Sequence, residues 1–121
     1  MARPTFLIAE PEPKQALSVR KLVLETAKFN VITAHTGGET LELFKKFPDV
    51  DCVTLHSQMT DPPCEEVLKE IRKIRPHMRV IYLSAGMSGL CKGADHTVSS
   101  HDPDELLSVV RELYGDPRQE E

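Results

Sequence analysis

Residues 80–83 read Val80-Ile-Tyr-Leu83, a short apolar run that lacks the polar alternation of a half-exposed strand. Phe6-Leu-Ile-Ala9 has the same character, and Cys52 to Leu55 is a third run of this kind. Continuous apolar runs of about four residues are typical of strands that are covered on both faces in a parallel sheet. The sequence therefore predicts a buried parallel sheet at the centre of the molecule.

Helical patterns separate these runs along the chain, because apolar residues recur at three- and four-residue spacing between them. The predicted helices follow Pro13, run from Thr40 to Phe47, follow Pro62-Pro63 and begin after Asp102. Further strands are predicted over residues 29–34 and, with a weaker pattern, at Thr97 and Val98. Alternation of strands and helices predicts an α/β fold, a doubly wound parallel sheet with right-handed crossovers.

Local signals mark where several helices begin and end. Asp102 is an expected N-cap residue, since Pro103 can occupy the first helical position and Glu105 follows two residues later. Gly115 is expected to end this last helix. Gly37-Gly38 is expected to break the chain before the helix that starts at Thr40.

The fourth crossover is unusually short. Ten residues separate Ser84 from Asp95, and three of them are glycines, at positions 86, 89 and 93. A crossover that contains a helix needs about 10 to 12 residues, and glycine disfavours helix by about 1 kcal/mol. We therefore expect a fourth helix that is shortened or irregular.

Composition limits the classes of protein that this chain can belong to. It has 121 residues, a formal net charge of −4, 40% hydrophobic and 28% charged residues, as expected for one globular domain. We expect that domain over residues 5–115, a polar tail over 116–121 and no output domain. The chain has no cluster of basic residues for nucleic acid and no long apolar segment for a membrane or a leader. These features predict a cytoplasmic protein.

The three cysteines, Cys52, Cys64 and Cys91, include no C-x-x-C pair. An odd number without close spacing fits neither a disulfide framework nor a cysteine-rich zinc site. Reduced thiols are expected, with Cys52 buried as a small apolar side chain in its strand.

The topology also indicates where function lies. In an open parallel sheet, ligands bind beyond the carboxyl ends of the strands. Candidate functional residues are therefore expected over residues 10–13, 35–38, 56–63, 84–89 and 99–101.

Six segments at or near these strand ends share a family pattern. They are Phe6 to Pro13, Val31 to Ala34 with Gly37 and Glu39, Cys52 to Met59, Val80 to Ala85, Gly93 to Asp95, and Asp102 to Leu106. In order and spacing they resemble the receiver domain of bacterial two-component response regulators, over nearly the whole chain. The resemblance implies a flavodoxin-like receiver fold of five strands in the order 2-1-3-4-5, and a role in phosphorelay signal transduction.

The resemblance also implies the chemistry of single positions. Glu10 and Pro11 stand where the family has two Mg²⁺-binding acids, and His56 stands where it has the phospho-accepting Asp. Ser84 matches the switch hydroxyl, and Ser100 replaces the Lys. Proline offers Mg²⁺ no oxygen, and imidazole cannot form an aspartyl phosphate. We therefore expect a vestigial pocket without the Mg²⁺ site, with no cofactor and without the family's phosphorylation.

Two parts of the family's switch are also replaced. The switch aromatic falls on Thr97, and the proline that follows the Lys falls on His101. Together with the short fourth crossover, these replacements predict a remodelled output surface.

The chain is thus identified as a degenerate member of the family, a pseudo-receiver. We expect a stand-alone receiver domain, not an enzyme, that acts through protein–protein interaction. Its expected partner is a signalling protein such as a histidine kinase or another regulator. Formation of a homodimer is an open alternative.

Two alternatives remain open. The first is a single-domain regulator that accepts a phosphoryl group unconventionally, on His56 or on the nearby Asp61. The second is a metal- or pH-responsive binding module, in which Glu10, His56 and His101 converge on a transition metal, because imidazole and carboxylate suit such ions.

Overall fold

A computed structural model describes residues 4–9, 29–84, 91, 93–99 and 102–115. The helix predicted after Pro13 and four candidate site residues, Glu10, Pro11, Ser100 and His101, lie outside this part of the chain. The expectations for them stay predictions.

Five parallel strands form one sheet. They are β1 (Thr5–Ala9), β2 (Asn30–Ala34), β3 (Cys52–His56), β4 (Arg79–Ser84) and β5 (His96–Ser99). Their order across the sheet is β2-β1-β3-β4-β5, and every neighbouring pair is parallel. The predicted fold class and strand order are confirmed, and each strand begins and ends within about one residue of its predicted bounds.

The described part of the chain contains three helices: α1 (Gly37–Lys46), α2 (Cys64–Ile74) and α3 (Pro103–Tyr114). Asp102 caps α3 as predicted, since its side chain accepts a hydrogen bond from the Glu105 N–H at 3.1 Å. Gly115 follows the helix with a φ of 76°, a backbone conformation that favours glycine. None of these helices is long and apolar enough to cross a membrane.

The start of α1 differs from the prediction. The expected break at Gly37-Gly38 is wrong, because both glycines lie within the first turn of α1. Thr36 is the N-cap residue, and its hydroxyl accepts a hydrogen bond from the Glu39 N–H at 3.0 Å. Two adjacent glycines suit this turn because a neighbouring loop approaches it closely, as described below.

Helices cover both faces of the sheet. On one face, Leu7, Val53 and Val80 form a row across three strands and belong to a buried cluster with Phe44 of α1 and Ile71 of α2. The cluster on the opposite face includes Phe6, Ile8, Ile81, Leu83, Leu106 and Val110, the last two from α3. The sheet is thus doubly wound, as predicted.

Polar contacts fix the turn that leads into β5. Asp95 accepts a hydrogen bond from the Val80 N–H at 2.7 Å and forms an ion pair with Arg72 at 3.2 Å. The guanidinium of Arg72 also donates to the carbonyl of Gly93 at 2.8 Å. Residues 85–90 lie outside the described part of the chain, so the shortened fourth helix stays a prediction.

Cys64 and Cys91 form a disulfide, with their Cα atoms 6.2 Å apart. The expectation of reduced thiols is wrong for this pair. Cys64 is the first residue of α2, and Cys91 lies in the segment between β4 and β5. The fold brings them together across 27 residues of sequence, a spacing that carries no local signal. Cys52 is free and fully buried, as predicted.

A small polar cluster lies at the amino ends of the strands. The hydroxyl of Tyr114 donates to the carbonyl of Asp51 at 2.9 Å, and the guanidinium of Arg79 lies 5.9 Å from the centre of the Tyr114 ring. Burial raises the pKa of Cys52 to about 12 and also raises the pKa of Tyr114. This cluster lies at the edge of the sheet opposite to the candidate functional site, so these two perturbed groups belong to packing around α3.

Candidate functional site

The carboxyl ends of the five strands meet at one edge of the sheet. The last residues of β1 and β2, Ala9 and Ala34, are paired neighbours. His56 ends β3 beside Leu83 of β4, and the last residues of β4 and β5, Ser84 and Ser99, are also paired. His56 and Ser84 therefore lie on adjacent strands at the same edge, where the topology predicts a site.

His56 is buried at this edge. Its side chain is only 3% exposed, and its Nδ1 accepts a hydrogen bond from the Gln58 N–H at 3.0 Å. An accepting Nδ1 has no proton, so the imidazole is neutral and carries its proton on Nε2. Protonating Nδ1 would turn two donors toward each other, so this contact favours the neutral ring.

The backbone around His56 holds the ring in place. The carbonyl of His56 accepts a hydrogen bond from the Met59 N–H at 3.1 Å, which closes the turn after β3. The Ser57 N–H donates to the carbonyl of Leu83 at 2.9 Å, which ties the turn to β4. Position 56 is thus fixed by the sheet and the following turn.

Thr54 lies two residues before His56 on the same face of β3. Its side chain is fully buried, and its hydroxyl has no hydrogen-bond partner among the described residues. An unsatisfied buried hydroxyl costs free energy, because it has lost its hydrogen bonds to water.

Ser84 and Thr97 are the other described residues of the predicted pocket and switch. Ser84 is partly buried at the end of β4, one residue beyond the neighbour of His56. Thr97 lies in the middle of β5, opposite Tyr82 of β4, and its side chain is exposed. Ser84 therefore lies near His56 at the carboxyl edge of the sheet. Thr97 lies two residues before the end of the edge strand β5.

The predicted metal set cannot be followed in full. Of its three residues only His56 is described, since Glu10 and His101 lie outside the described ranges. Within those ranges, no group of three His, Cys, Asp or Glu side chains is arranged to hold a metal ion.

The loop after β3 is docked on the start of α1, a contact that the sequence analysis missed. The Gly37 N–H donates to the carbonyl of Thr60 at 2.9 Å, and the Gly38 N–H donates to the carbonyl of Asp61 at 2.7 Å. Gly37 lies so close to Pro62 that a side-chain Cβ would overlap the carbonyl oxygen of Pro62. The pair of adjacent glycines was the one sequence signal of this approach.

Asp61, the alternative acceptor, lies in this docked loop. Its side chain is exposed, and its backbone has a φ of 60°, in the left-handed region. It follows His56 by five residues and faces solvent rather than the buried edge of the sheet.

Comparison with solved structures identifies the family, whereas comparison with family models and curated proteins gives no match. The response regulator protein TrrA from Thermotoga maritima, solved in complex with Mg²⁺ and BeF, is 30% identical, with a TM-score of 0.74. The match covers 91% of this chain and 98% of TrrA. This chain belongs to the response regulator receiver domains.

Two further solved structures support the assignment of the receiver domain. A receiver domain from Clostridium thermocellum is 27% identical with a TM-score of 0.80, and the match covers 93% of this chain and 94% of that one. CheY in the CheX–CheY–BeF₃–Mg²⁺ complex from Borrelia burgdorferi is also similar. It is 27% identical with a TM-score of 0.75, over 92% of this chain and 89% of that one. This similarity supports a receiver role in signal transduction.

Proposed function

We propose that this receiver domain signals through protein–protein interaction and does not undergo the phosphorylation of its family. In this proposal it is a pseudo-receiver in a two-component pathway, without enzymatic activity and without bound Mg²⁺. It acts in the cytoplasm.

The observation that carries the proposal is the imidazole at position 56. The family resemblance gives this position to the phospho-accepting Asp, and here a neutral ring accepts a backbone N–H through Nδ1. A carboxylate is needed to form an acyl phosphate, so this side chain cannot supply the family's chemistry.

Two further replacements point the same way. Pro11 stands where the resemblance expects a second Mg²⁺-binding acid, and Ser100 stands where it expects the Lys. Phosphoryl transfer relies on metal ions and cationic side chains to neutralise the charge that develops on the phosphoryl oxygens. A chain with one acid and no lysine at these positions lacks most of that positive charge.

The contacts of His56 also argue against a phosphohistidine. A neutral imidazole attacks phosphorus through its proton-free nitrogen, which here is Nδ1. The lone pair of that atom is occupied by the Gln58 N–H, and the side chain is 3% exposed. A phosphodonor would have to displace this contact before it could react.

The intact mass of the protein after incubation with acetyl phosphate and Mg²⁺ at neutral pH tests the proposal. We expect no phosphoryl adduct on the wild-type chain. A triple variant, Pro11→Asp, His56→Asp and Ser100→Lys, provides the matched positive control, because it restores the three replaced groups together. A stoichiometric adduct on the wild-type chain would contradict the proposal, and the Asp61→Asn variant would then show whether Asp61 carries it.

A protein partner is proposed because an unphosphorylated receiver has no chemical output of its own. The Borrelia burgdorferi CheY structure contains CheX, so a similar receiver domain is seen with a protein bound to it. For this chain we propose a signalling protein such as a histidine kinase or another regulator, bound without a requirement for phosphodonor or Mg²⁺.

A further inference from the structure

The disulfide joins two parts of the chain that flank a small groove. Cys64 begins α2, and Cys91 precedes the turn that leads into β5. The groove has a volume of about 300 Å³ and lies between α2 and this turn. Its described lining residues are Glu65, Leu68, Lys69, Arg72 and Gly93. Neither cysteine is among these lining residues, but Glu65 directly follows Cys64 and Gly93 lies two residues after Cys91.

Contacts other than this bond also hold the turn after Cys91. The turn after Cys91 is held by the ion pair of Arg72 with Asp95 and by hydrogen bonds in both directions between Asp95 and Val80. These contacts involve neither sulfur. Disulfides are indispensable chiefly in small domains that lack a sufficient core, whereas this domain has two buried clusters on a five-stranded sheet. We therefore expect the reduced chain to stay folded, at lower stability.

The surroundings of Cys64 suit thiol–disulfide exchange. The N-terminal end of a helix stabilises a thiolate, and Cys64 is the first residue of the 11-residue α2. Lys69 and Glu65 bring one charge of each sign to the groove, and the charge of Arg72 is paired with Asp95. Lys69 is therefore the groove cation that can attract an anionic thiol. The residues Cys64 and Cys91 are 8% and 6% exposed, so the bond lies just below the surface.

We propose that Cys64 and Cys91 form a reversible thiol–disulfide exchange site, which low-molecular-weight thiols reach through the groove beside α2. A thiolate attacks one sulfur and forms a mixed disulfide, while the other cysteine leaves as a thiolate and takes up a proton. A second thiol molecule then attacks the mixed disulfide and releases the remaining cysteine. In total, two thiol molecules are oxidised to one disulfide, and the protein disulfide is reduced to two thiols. The reverse sequence closes the bond again.

Equilibration of the wild-type protein with mixtures of reduced and oxidised glutathione tests the exchange. After acid quenching, denaturation and alkylation, intact mass counts the free thiols among the three cysteines. We expect one free thiol, that of Cys52, in the most oxidising mixture and three in the most reducing one. The same curve should be reached from the oxidised and from the reduced protein, with an unchanged far-ultraviolet circular dichroism spectrum. A count fixed at one or at three, or a change that occurs only with unfolding, would overturn the proposal.

The route through the groove has its own test. Lys69→Glu reverses a charge in the groove, whereas Lys73→Glu changes a lysine on the same helix that pairs with Glu70 outside it. We expect Lys69→Glu to slow reduction by glutathione about threefold, because the thiol is anionic. Reduction by the neutral 2-mercaptoethanol should be unaffected, and Lys73→Glu should leave both rates unchanged. If the two variants behave alike with glutathione, the groove is not the route.

Discussion

Replacing Gly37 with alanine tests whether the start of α1 positions the loop that follows the candidate site. A Cβ at position 37 would overlap the carbonyl oxygen of Pro62 and would lie 2.7 Å from the nitrogen and 2.8 Å from the Cδ of the same residue. The nearest atoms belong to the backbone and the ring, so the loop as a whole must move away. That movement breaks the hydrogen bonds that the N–H groups of Gly37 and Gly38 donate to the loop.

The size of the effect follows from these contacts. Two lost hydrogen bonds cost about 1 kcal/mol each, and overpacking costs a further 1–3 kcal/mol or so. The higher helix propensity of alanine offsets about 1 kcal/mol of this loss, because glycine is less favourable than alanine in a helix by that amount. The Gly37→Ala variant should therefore lose about 2–4 kcal/mol of its free energy of unfolding, whereas helix propensity alone predicts a gain.

Urea unfolding followed by circular dichroism measures this difference. Gly38→Ala is the matched control in the same turn, because its Cβ would lie 3.3 Å from the carbonyl oxygen of Asp61, a contact that a small shift relieves. We expect that variant to stay within about 1 kcal/mol of the wild type. Equal stability of the two variants would refute the close approach of the loop to α1.

Three further predictions concern stability. Thr54→Val replaces a buried hydroxyl that has no partner among the described residues with a methyl group, so it should raise the free energy of unfolding in urea by about 1 kcal/mol. A clear loss would show that the hydroxyl is satisfied. Burial keeps the Cys52 thiol protonated in the folded chain, whereas the thiol of the unfolded chain ionises near pH 9.0. The contribution of this group to the free energy of unfolding is therefore intact below pH 9 and is lost as pH rises to about 12. Because Tyr114 also has a raised pKa, both chains lose stability at alkaline pH, but the loss should be steeper in the wild type than in Cys52→Ala by roughly 1 kcal/mol per pH unit in that window. Parallel pH profiles of the two chains would contradict this. The bond between Cys64 and Cys91 closes a loop across a sequence separation of 27, so its reduction should lower the free energy of unfolding by about 3–4 kcal/mol. The melting temperature of the reduced protein should fall, and an unchanged melting temperature would contradict this prediction.

The sheet could be predicted from the sequence because its signals are local. Each buried strand is a short apolar run, and each run is bounded by residues that end it, so the order of elements follows directly. Asp102 and Gly115 marked the ends of α3 for the same reason, since a cap acts through its nearest neighbours.

The contacts that were missed join residues far apart in the sequence. Nothing near Cys64 or Cys91 indicates that they meet, because only the path of α2 and the turn before β5 brings them together. Gly37 is visible in the sequence, but a glycine there has two explanations. It can break the chain locally, or it can leave room for Pro62, and only the fold shows that the second applies. For the candidate site, the residue types were readable at each strand end, whereas the burial of His56 and its contact with Gln58 required the fold.

The buried imidazole of His56 also bears on the order in which such a site changes over generations. A neutral ring is tolerated there, because the Gln58 N–H satisfies its proton-free nitrogen. An aspartate at the same place would bury a charge, which costs several kcal/mol unless a cation pairs with it. If position 56 once held the family's acid, as proposed above, that acid is easier to lose than to regain, because its return also requires a cation beside it.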